Sequence, residues 1–294
     1  MSADVLRVRA PATSANLGPG FDCAACALAL WNELEVEPAD AAAVSISGEG
    51  AGELPEGPQN LALRAFALLA PVEGRRFRFA NRIPLARGLG SSAAAVALGL
   101  VAGARAAGRE AGAEDLLALG VALEGHADNL AAALAGGVCL AWEEEGRPHV
   151  ARVADAPPLE PIALVPAARV DTAEARAALP GLVRHGDAAF TAGRAALLGA
   201  AAAAGDPELF AAALADRLHE PYREAKAPLL AAVRAEPPAG ARGATLSGSG
   251  PSVIVWADRA RAEDCAAELS VRFPSELVLR PGAAREGAVQ DSGA

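Results

Sequence analysis

Residues Pro84 to Ala94 read Pro-Leu-Ala-Arg-Gly-Leu-Gly-Ser-Ser-Ala-Ala and form the most informative segment of the sequence. An apolar, alanine-rich segment with helical character follows directly. The two glycines let the backbone curl so that successive N–H groups point to one side, and the helix that follows presents the positive end of its dipole. The two serines add hydroxyl groups that can bind a phosphate oxygen or a magnesium ion. The stretch therefore predicts a cradle for a phosphate group.

Two other interpretations of the same stretch are open. Gly88 to Ser92 could be a plain turn followed by a serine N-cap. Gly88 to Ala93 also satisfies G-x-G-x-x-[GA], the fingerprint of dinucleotide-dependent oxidoreductases, although that fingerprint normally follows directly on a strand. Here residues 83–87 intervene, and Pro84 cannot donate to a parallel ladder. No lysine stands in the loop, so it is not of the G-x-x-x-x-G-K-[ST] type.

Composition limits the classes of partner. The chain has 294 residues, enough for a large core, and a formal net charge of −10. Such a balance argues against nucleic acid or an anionic membrane as a partner, because no basic patch offsets it. The sequence has no apolar run of membrane-spanning length and no signal-peptide pattern at its start. We therefore expect a soluble, cytoplasmic protein that holds any polyanionic ligand by local groups.

The four cysteines do not indicate a disulfide framework in a reducing compartment. Cys23 and Cys26 have the spacing of a redox or zinc motif, but they lie in an apolar run and no second Cys or His pair completes a metal site. We interpret Cys23, Cys26, Cys139 and Cys265 as small buried hydrophobic residues.

The order of elements predicts an α+β protein. Strands that alternate apolar and charged residues share the first half with a cluster of helices, predicted at Asn60–Leu69, Ser91–Ala107 and Ala113–Glu124. The proline-rich segment Asp155–Pro161 marks the expected boundary between domains 1–155 and 156–294. In the second domain a β-α-β-α-β order is expected, and the residues after about Gly282 are expected to be a frayed tail.

Three further segments carry concentrated polar side chains. Pro11–Asp22 reads as a long polar loop between a strand and an apolar run. Glu124–Asn129 (Glu-Gly-His-Ala-Asp-Asn) joins the end of one helix to the start of another. Thr245–Ser252 (Thr-Leu-Ser-Gly-Ser-Gly-Pro-Ser) is a second glycine-serine turn ahead of a buried strand. Each taken alone is also explained by ordinary turns and caps.

The four segments occur together in one order, and in this the chain resembles the GHMP kinase superfamily and, within it, the homoserine kinase family. The resemblance covers essentially the whole chain. It implies a two-domain architecture, with an N-terminal ribosomal-protein-S5-like domain and a C-terminal ferredoxin-like domain. It also implies ATP-dependent phosphorylation of the side-chain hydroxyl of L-homoserine, a step of threonine biosynthesis, with Mg2+ as cofactor. A homodimer is the oligomer that the family suggests.

The resemblance also assigns roles to positions of this sequence. The metal ligands would be Ser92 and Glu124. The ATP-binding residues would be Pro84, Leu85, Ala86, Arg87, Gly88, Leu89, Gly90, Ser91, Ser92, Ala93 and Ala94. The substrate-binding residues would be Asn16, Asp22, His126, Asn129, Thr172, Arg176 and Arg223.

The catalytic residues implied are Asn129 and Asp22. Related kinases place an aspartate base near the position of Asn129, and because asparagine cannot take a proton we expect Asn129 to orient the hydroxyl. Phosphoryl transfer needs little help from a base, so direct in-line attack is the expected mechanism, with Asp22 as a weak base at most. Two alternatives remain: another small-molecule GHMP kinase of the mevalonate or sugar type, and a non-catalytic nucleotide-binding sensor on the same fold.

Overall fold

The computed structural model describes residues 5–223, 225 and 227–290. The strands of the first sheet are β1 Leu6–Asn16, β2 Gly20–Pro38, β3 Ala43–Gly48, β4 Arg75–Asn81, β5 Val138–Glu144, β6 Arg147–Ala154 and β11 Val289–Gln290. Their order is β11-β1-β2-β4-β3, and β5 pairs with both β2 and β6. Neighbouring strands pair antiparallel except for β3 and β4, which are parallel.

The expected loop over Pro11–Asp22 is wrong. Strand β1 continues to Asn16 and β2 starts at Gly20, so most of the segment is a hairpin. The ladder absorbs the turn-forming residues at two shifts of register, one of which follows Pro11. A bulge tolerates a proline because it interrupts the ladder locally, which is why the local pattern of turn formers misleads here.

The helices beside this sheet agree with the sequence pattern. Asn60 caps the first of them by accepting N–H bonds from Ala62 and Leu63 over 3.0 and 3.4 Å. Gly99 lets the second pack tightly on the first, since a Cβ there would lie 2.1 Å from the Ala62 carbonyl oxygen. These helices are α1 Leu61–Ala67, α2 Ser91–Ala106, α3 Ala113–Glu124 and α4 Ala127–Ala135.

The strands of the other sheet are β7 Glu160–Val165, β8 Ala241–Leu246, β9 Val253–Ala257 and β10 Leu277–Leu279. Their order is β10-β7-β9-β8, and neighbouring strands are antiparallel. With helices after β7 and β9, this is the βαββαβ order of a ferredoxin-like unit. The sequence interpretation lacked β8, because the arginine and glycines at its start hide the strand pattern.

Helices cover this second sheet and connect its strands. At their contact with the sheet, Phe210 meets Trp256 edge to face, with 5.2 Å between ring centroids. The helices are α5 Thr172–Ala177, α6 His185–Ala204, α7 Pro207–Ala213, α8 Glu220–Arg223, α9 Pro228–Ala235 and α10 Ala262–Arg272. Within the described ranges, no helix combines the length and the apolar character needed to cross a bilayer.

The expected frayed tail is also wrong. After β10 the chain returns to the first sheet, where β11 pairs with β1 and places Gln290 opposite Val8. On the way, the Ala288 N–H donates to the Ala133 carbonyl over 2.7 Å. Because these partners are more than a hundred residues away in the chain, no local pattern reveals them. The return strand pairs residues 289–290 with the N-terminal sheet, and residues 291–294 of the expected tail lie outside the described residues.

The cysteines are unpaired thiols, as the sequence indicates. Cys26, Cys139 and Cys265 are buried and Cys23 is partly buried. Burial raises the pKa of the Cys139 thiol to about 12 and that of Cys265 to about 11, so both remain protonated and inert.

Candidate active site

Segments that are far apart in the chain meet at one crevice. Strand β1 lies beside the glycine-serine loop, residues 84–92, whose last two residues begin α2. The Thr13 N–H donates to the Leu89 carbonyl over 3.1 Å. The connection between β8 and β9 reaches the same place, where Ser247 Oγ donates to the Gly88 carbonyl over 2.6 Å. These segments and the start of α5 surround a cavity of about 750 Å3.

Most of the residues that the resemblance singles out line this cavity. They are residues 85–92, together with Asn16, Asp22, Glu124, His126, Asn129, Thr172, Arg176 and Arg223. Pro84, Ala93 and Ala94 are buried in the core behind it and do not line the cavity. Their side chains shape the loop and seat the helix, so any contact with a ligand would come from their backbone.

The loop depends on two glycines. Gly88 and Gly90 have φ angles of 76° and 67°, in the left-handed region that favours glycine. A Cβ at Gly90 would lie 1.9 Å from Thr13 Oγ1, and one at Gly88 would lie 2.2 Å from the Ser247 carbonyl oxygen. Only glycine therefore allows the loop to lie against both neighbouring segments.

The N-terminus of α2 faces the cavity without a side-chain cap. Gly90 is the N-cap and makes no side-chain hydrogen bond, and Ser91 and Ser92 lie inside the first turn. The interpretation as a serine cap is therefore wrong. The N–H groups of this turn have no partners within the helix and are available to an anion. Strand β4 ends at Asn81, so the loop does not follow directly on a strand as a dinucleotide fingerprint would.

Arg87 braces the loop against the second sheet. Its Nε donates to the Pro166 carbonyl over 2.9 Å and its Nη2 to the Ala167 carbonyl over 3.2 Å. The Val170 N–H donates to the Ala86 carbonyl over 3.0 Å in the same contact. The guanidinium group thus donates to backbone oxygens of the residues that follow β7, and these bonds hold the loop in position.

Ser92 and Glu124 form the pair expected to bind a metal. Ser92 Oγ donates to Glu124 Oε1 over 2.7 Å. Burial, opposed in part by this bond, raises the pKa of Glu124 to about 7, and the charge of Asp128 adds to the effect. A cation would stabilise the carboxylate in this place. No group of three or more His, Cys, Asp or Glu side chains in the described part of the chain could hold a metal by itself. The pair therefore fits Mg2+ that also has phosphate and water ligands.

The junction of α3 and α4 places an amide and a buried carboxyl group side by side. Asn129 Oδ1 accepts a 2.7 Å bond from Thr13 Oγ1. Asp128 is only 4 % exposed, and its Oδ1 accepts the Asn129 backbone N–H over 2.7 Å. Burial is the main cause that raises the pKa of Asp128 to about 6. His126, the N-cap of α4, lies beside them, and burial with the nearby charge of Arg176 lowers its pKa.

Asp22 and Arg176 form a two-pronged ion pair in the same cavity. Arg176 Nη1 and Nη2 donate to the two Asp22 oxygens over 2.9 and 2.7 Å. Asn16 Oδ1 supports Asp22 by accepting its backbone N–H over 3.0 Å. Asp22 has a φ of 55°, which is strained for a residue with a Cβ and is typical of functional sites. Arg176 Nε has no partner among the described residues and remains a donor for a ligand.

Arg223 approaches the same place from α8. It is 4 % exposed, and its Nη1 donates to the Gly248 carbonyl over 3.2 Å and to His219 Nδ1 over 3.1 Å. The centres of the Arg223 and Arg176 guanidinium groups lie 5.4 and 5.5 Å from the centroid of the Phe21 ring. One aromatic ring thus supports both cations. Thr172 Oγ1 lies 3.3 Å from Ser249 Oγ at the rim.

Several residues of the site were missed by the sequence interpretation. Thr13, Phe21 and Asp128 lie inside the segments Pro11–Asp22 and Glu124–Asn129, but nothing in a linear motif shows which side chain faces the ligand. His219 lies outside the quoted segments. His219 is fully buried, and its Nε2 lies 2.7 Å from the Gly18 carbonyl oxygen. It therefore connects Arg223 to the β1–β2 turn. Two apolar residues of the cavity lining, Leu54 and Leu61, carried no signal either.

Comparisons with known proteins identify the family of the chain. The chain matches the family model for the GHMP kinases N terminal domain over residues 60–137 and that for GHMP kinases C terminal over residues 197–275. A homoserine kinase of Streptomyces avermitilis is 44% identical over 274 residues, 90% of this chain and 89% of that protein. A homoserine kinase of Moorella thermoacetica is 42% identical, and the match covers 85% of this chain and 86% of that one.

Solved structures give the same result. The homoserine kinase from Cytophaga hutchinsonii has a TM-score of 0.85 at 26% identity, with 99% of this chain and 98% of that chain covered. A mevalonate kinase from L. major has a TM-score of 0.67 at 14% identity, covers 100% of this chain and 97% of that one, and shows the shared fold alone. The α+β, two-domain kinase architecture expected from the sequence is thereby confirmed. The chain belongs to the GHMP kinases and, among them, to the homoserine kinase family.

Proposed function

We propose that the protein transfers the γ-phosphoryl group of ATP to the side-chain hydroxyl of L-homoserine and forms O-phospho-L-homoserine, a step of threonine biosynthesis. One observation carries the proposal. A carboxylate and two guanidinium groups, suited to the head of an amino acid, share a single cavity with an uncapped helix N-terminus suited to phosphate. The cytoplasmic location and a homodimer are part of the proposal and rest on the family resemblance.

The nucleotide would lie along the glycine-serine loop. Backbone N–H groups of the first turn of α2 would bind its phosphates, as helix N-termini commonly do. The purine would lie against Leu54, Leu61 and Leu85, which are apolar residues of the cavity lining. Because these contacts are mostly backbone and apolar, they do not need the cluster of basic side chains that the acidic chain lacks.

Ser92 and Glu124 would hold Mg2+. The metal would neutralise charge on the β- and γ-phosphates, which is its usual contribution to phosphoryl transfer. Bringing the cation to Glu124 would also keep that carboxyl group ionised, since burial alone favours its neutral form.

The amino acid would replace the contact between Asp22 and Arg176. Its ammonium group would bind Asp22, and its carboxylate would bind Arg176 and Arg223. The free Nε of Arg176 supports this exchange, since it gives the guanidinium group an unused donor. A zwitterion satisfies both partners at once, whereas an uncharged substrate would leave separated charges without partners.

Direct attack on the γ-phosphorus is the mechanism that these residues support. Asn129 cannot accept a proton, and in the complex the Asp22 carboxylate, released from Arg176, would already bind the ammonium group of the substrate. Asp22 is therefore better suited to bind and align the substrate than to remove its proton. In a loose transition state the hydroxyl needs alignment more than activation, so positioning supplies most of the rate.

Release of ADP from ATP in the presence of L-homoserine, mevalonate or galactose tests the proposal. We expect turnover with homoserine and none with mevalonate or galactose. Arg223→Ala should raise the KM for homoserine about 100-fold, the scale of a lost charge-assisted hydrogen bond, and leave ATP binding intact. Arg109→Ala, which changes an exposed residue outside the cavity, is the matched control. Turnover with mevalonate or galactose would favour another GHMP kinase, and ATP binding without any turnover would favour a sensor.

A further inference from the structure

Three motifs of the sequence touch at one point beneath the glycine-serine loop. Thr13, on β1, is fully buried and its Oγ1 donates to Asn129 Oδ1 over 2.7 Å. A Cβ at Gly90 would lie 1.9 Å from that Oγ1 and 3.2 Å from Asn129 Oδ1. The Thr13 hydroxyl is therefore enclosed between the helix N-cap and the amide, in a space that its own size fills.

Two neighbours of Asn129 fix which way its amide faces. Its Oδ1 accepts from Thr13, and its Nδ2 lies 3.4 Å from Asp128 Oδ1. Turning the amide over would place its oxygen against the Asp128 oxygen, two acceptors in contact. Thr13 and Asp128 together therefore hold Oδ1 towards the core.

We propose that Thr13 is a positioning residue, which holds the Asn129 amide so that an Nδ2 N–H is offered to the substrate hydroxyl. The inference rests on the proposed function. The hydroxyl oxygen has two lone pairs: one forms the new bond to the γ-phosphorus while the bond from that phosphorus to the bridging oxygen of ADP breaks, and the other accepts the Asn129 N–H. Asn129 therefore acts as a donor, and the hydroxyl proton leaves towards a phosphoryl oxygen or water.

The threonine hydroxyl can be removed with little change of shape. In Thr13→Val the Asn129 oxygen loses its partner and only the longer contact of Nδ2 with Asp128 still holds the amide, whereas Thr13→Ser keeps the hydroxyl. We expect Thr13→Val to lower kcat about tenfold, the scale of one lost hydrogen bond, with the KM for ATP within about twofold of wild type. Thr13→Ser should retain kcat within about threefold.

A double-mutant cycle separates positioning from a general loss of structure. In an Asn129→Ala background there is no amide to hold, so Thr13→Val should have no further effect on kcat. An equal loss of kcat in both backgrounds, or a Thr13→Ser enzyme as slow as Thr13→Val, would overturn the proposal. Should Thr13→Val not fold, Thr13→Ala takes its place, and Thr13→Ser must then exceed it about tenfold in kcat.

The wild-type enzyme is assayed with homoserine and ATP first. Absence of turnover there would refute the proposed function. Wild-type turnover combined with equal rates for Thr13→Val and Thr13→Ser would refute the role of Thr13 alone.

Discussion

Replacing Asp128 by asparagine should make the protein more stable at neutral pH. Asp128 is 4 % exposed, and no ion pair of Asp128 occurs among the described residues. Burial raises its pKa from the usual 3.8 to about 6, against a smaller opposing effect of the Asn129 N–H bond. Asparagine has the same shape, carries no charge and can still accept that N–H bond. The substitution therefore removes the cost of a buried charge and keeps the local hydrogen bond.

The size and pH range of the effect follow from this pKa. Because the folded state holds the proton more tightly than the unfolded state, wild-type stability falls as pH rises from about 4 to about 6. At pH values above about 6, the difference of about two between the folded and unfolded pKa of Asp128 lowers the free energy of unfolding by about 3 kcal/mol. Below pH 4 both states are protonated, so the advantage of Asp128→Asn should vanish there.

Urea unfolding of wild type and Asp128→Asn at a series of pH values between 4 and 8 measures this difference. Other titrating groups cancel when the two proteins are compared at each pH. Asp40→Asn, at an exposed position, is the control and should change stability by less than about 0.5 kcal/mol. An Asp128→Asn protein no more stable than wild type at pH 7.5, or a gain that is the same at pH 4, would refute the reasoning. We expect the stabilised variant to turn over more slowly, because a costly charge at a cavity is commonly kept for function.

Two further predictions concern the loop and the metal pair. Because the pKa of Glu124 is about 7, Mg2+-dependent ATP binding should weaken about tenfold between pH 8 and pH 6 as the carboxyl group takes a proton. Calorimetric titration of Glu124→Gln should show weaker ATP binding whose affinity does not change over this pH range. A pH slope that persists in the variant would contradict the assignment. Gly90→Ala should cost about 1–3 kcal/mol in urea unfolding, because its Cβ would lie 1.9 Å from Thr13 Oγ1. Gly57→Ala is its control, since a Cβ there meets nothing within 4 Å, and equal losses in the two variants would contradict the steric account.

Elements with local signals could be predicted from the sequence. Helix α3 begins and ends at the residues that its pattern indicates, and Asn60 caps α1 as expected. The glycine-serine loop was recognisable because φ angles and N–H groups depend on a few neighbouring residues. The segments Glu124–Asn129 and Thr245–Ser252 were recognisable as motifs for the same reason, even though their partners were not.

Strand pairing and the choice of side chains that face the ligand depend on contacts that form only in the folded chain. Strand pairing joins residues far apart, so the hairpin through Pro11 and the return strand β11 have no local signature. The contact of Asp22 with Arg176 and that of Thr13 with Asn129 span 154 and 116 positions of the chain. Burial shifts the pKa of Asp128 for the same reason, since it is set by neighbours that folding brings together. Composition and spacing indicate which groups a site contains, and folding sets the distances between those groups and their exposure to solvent.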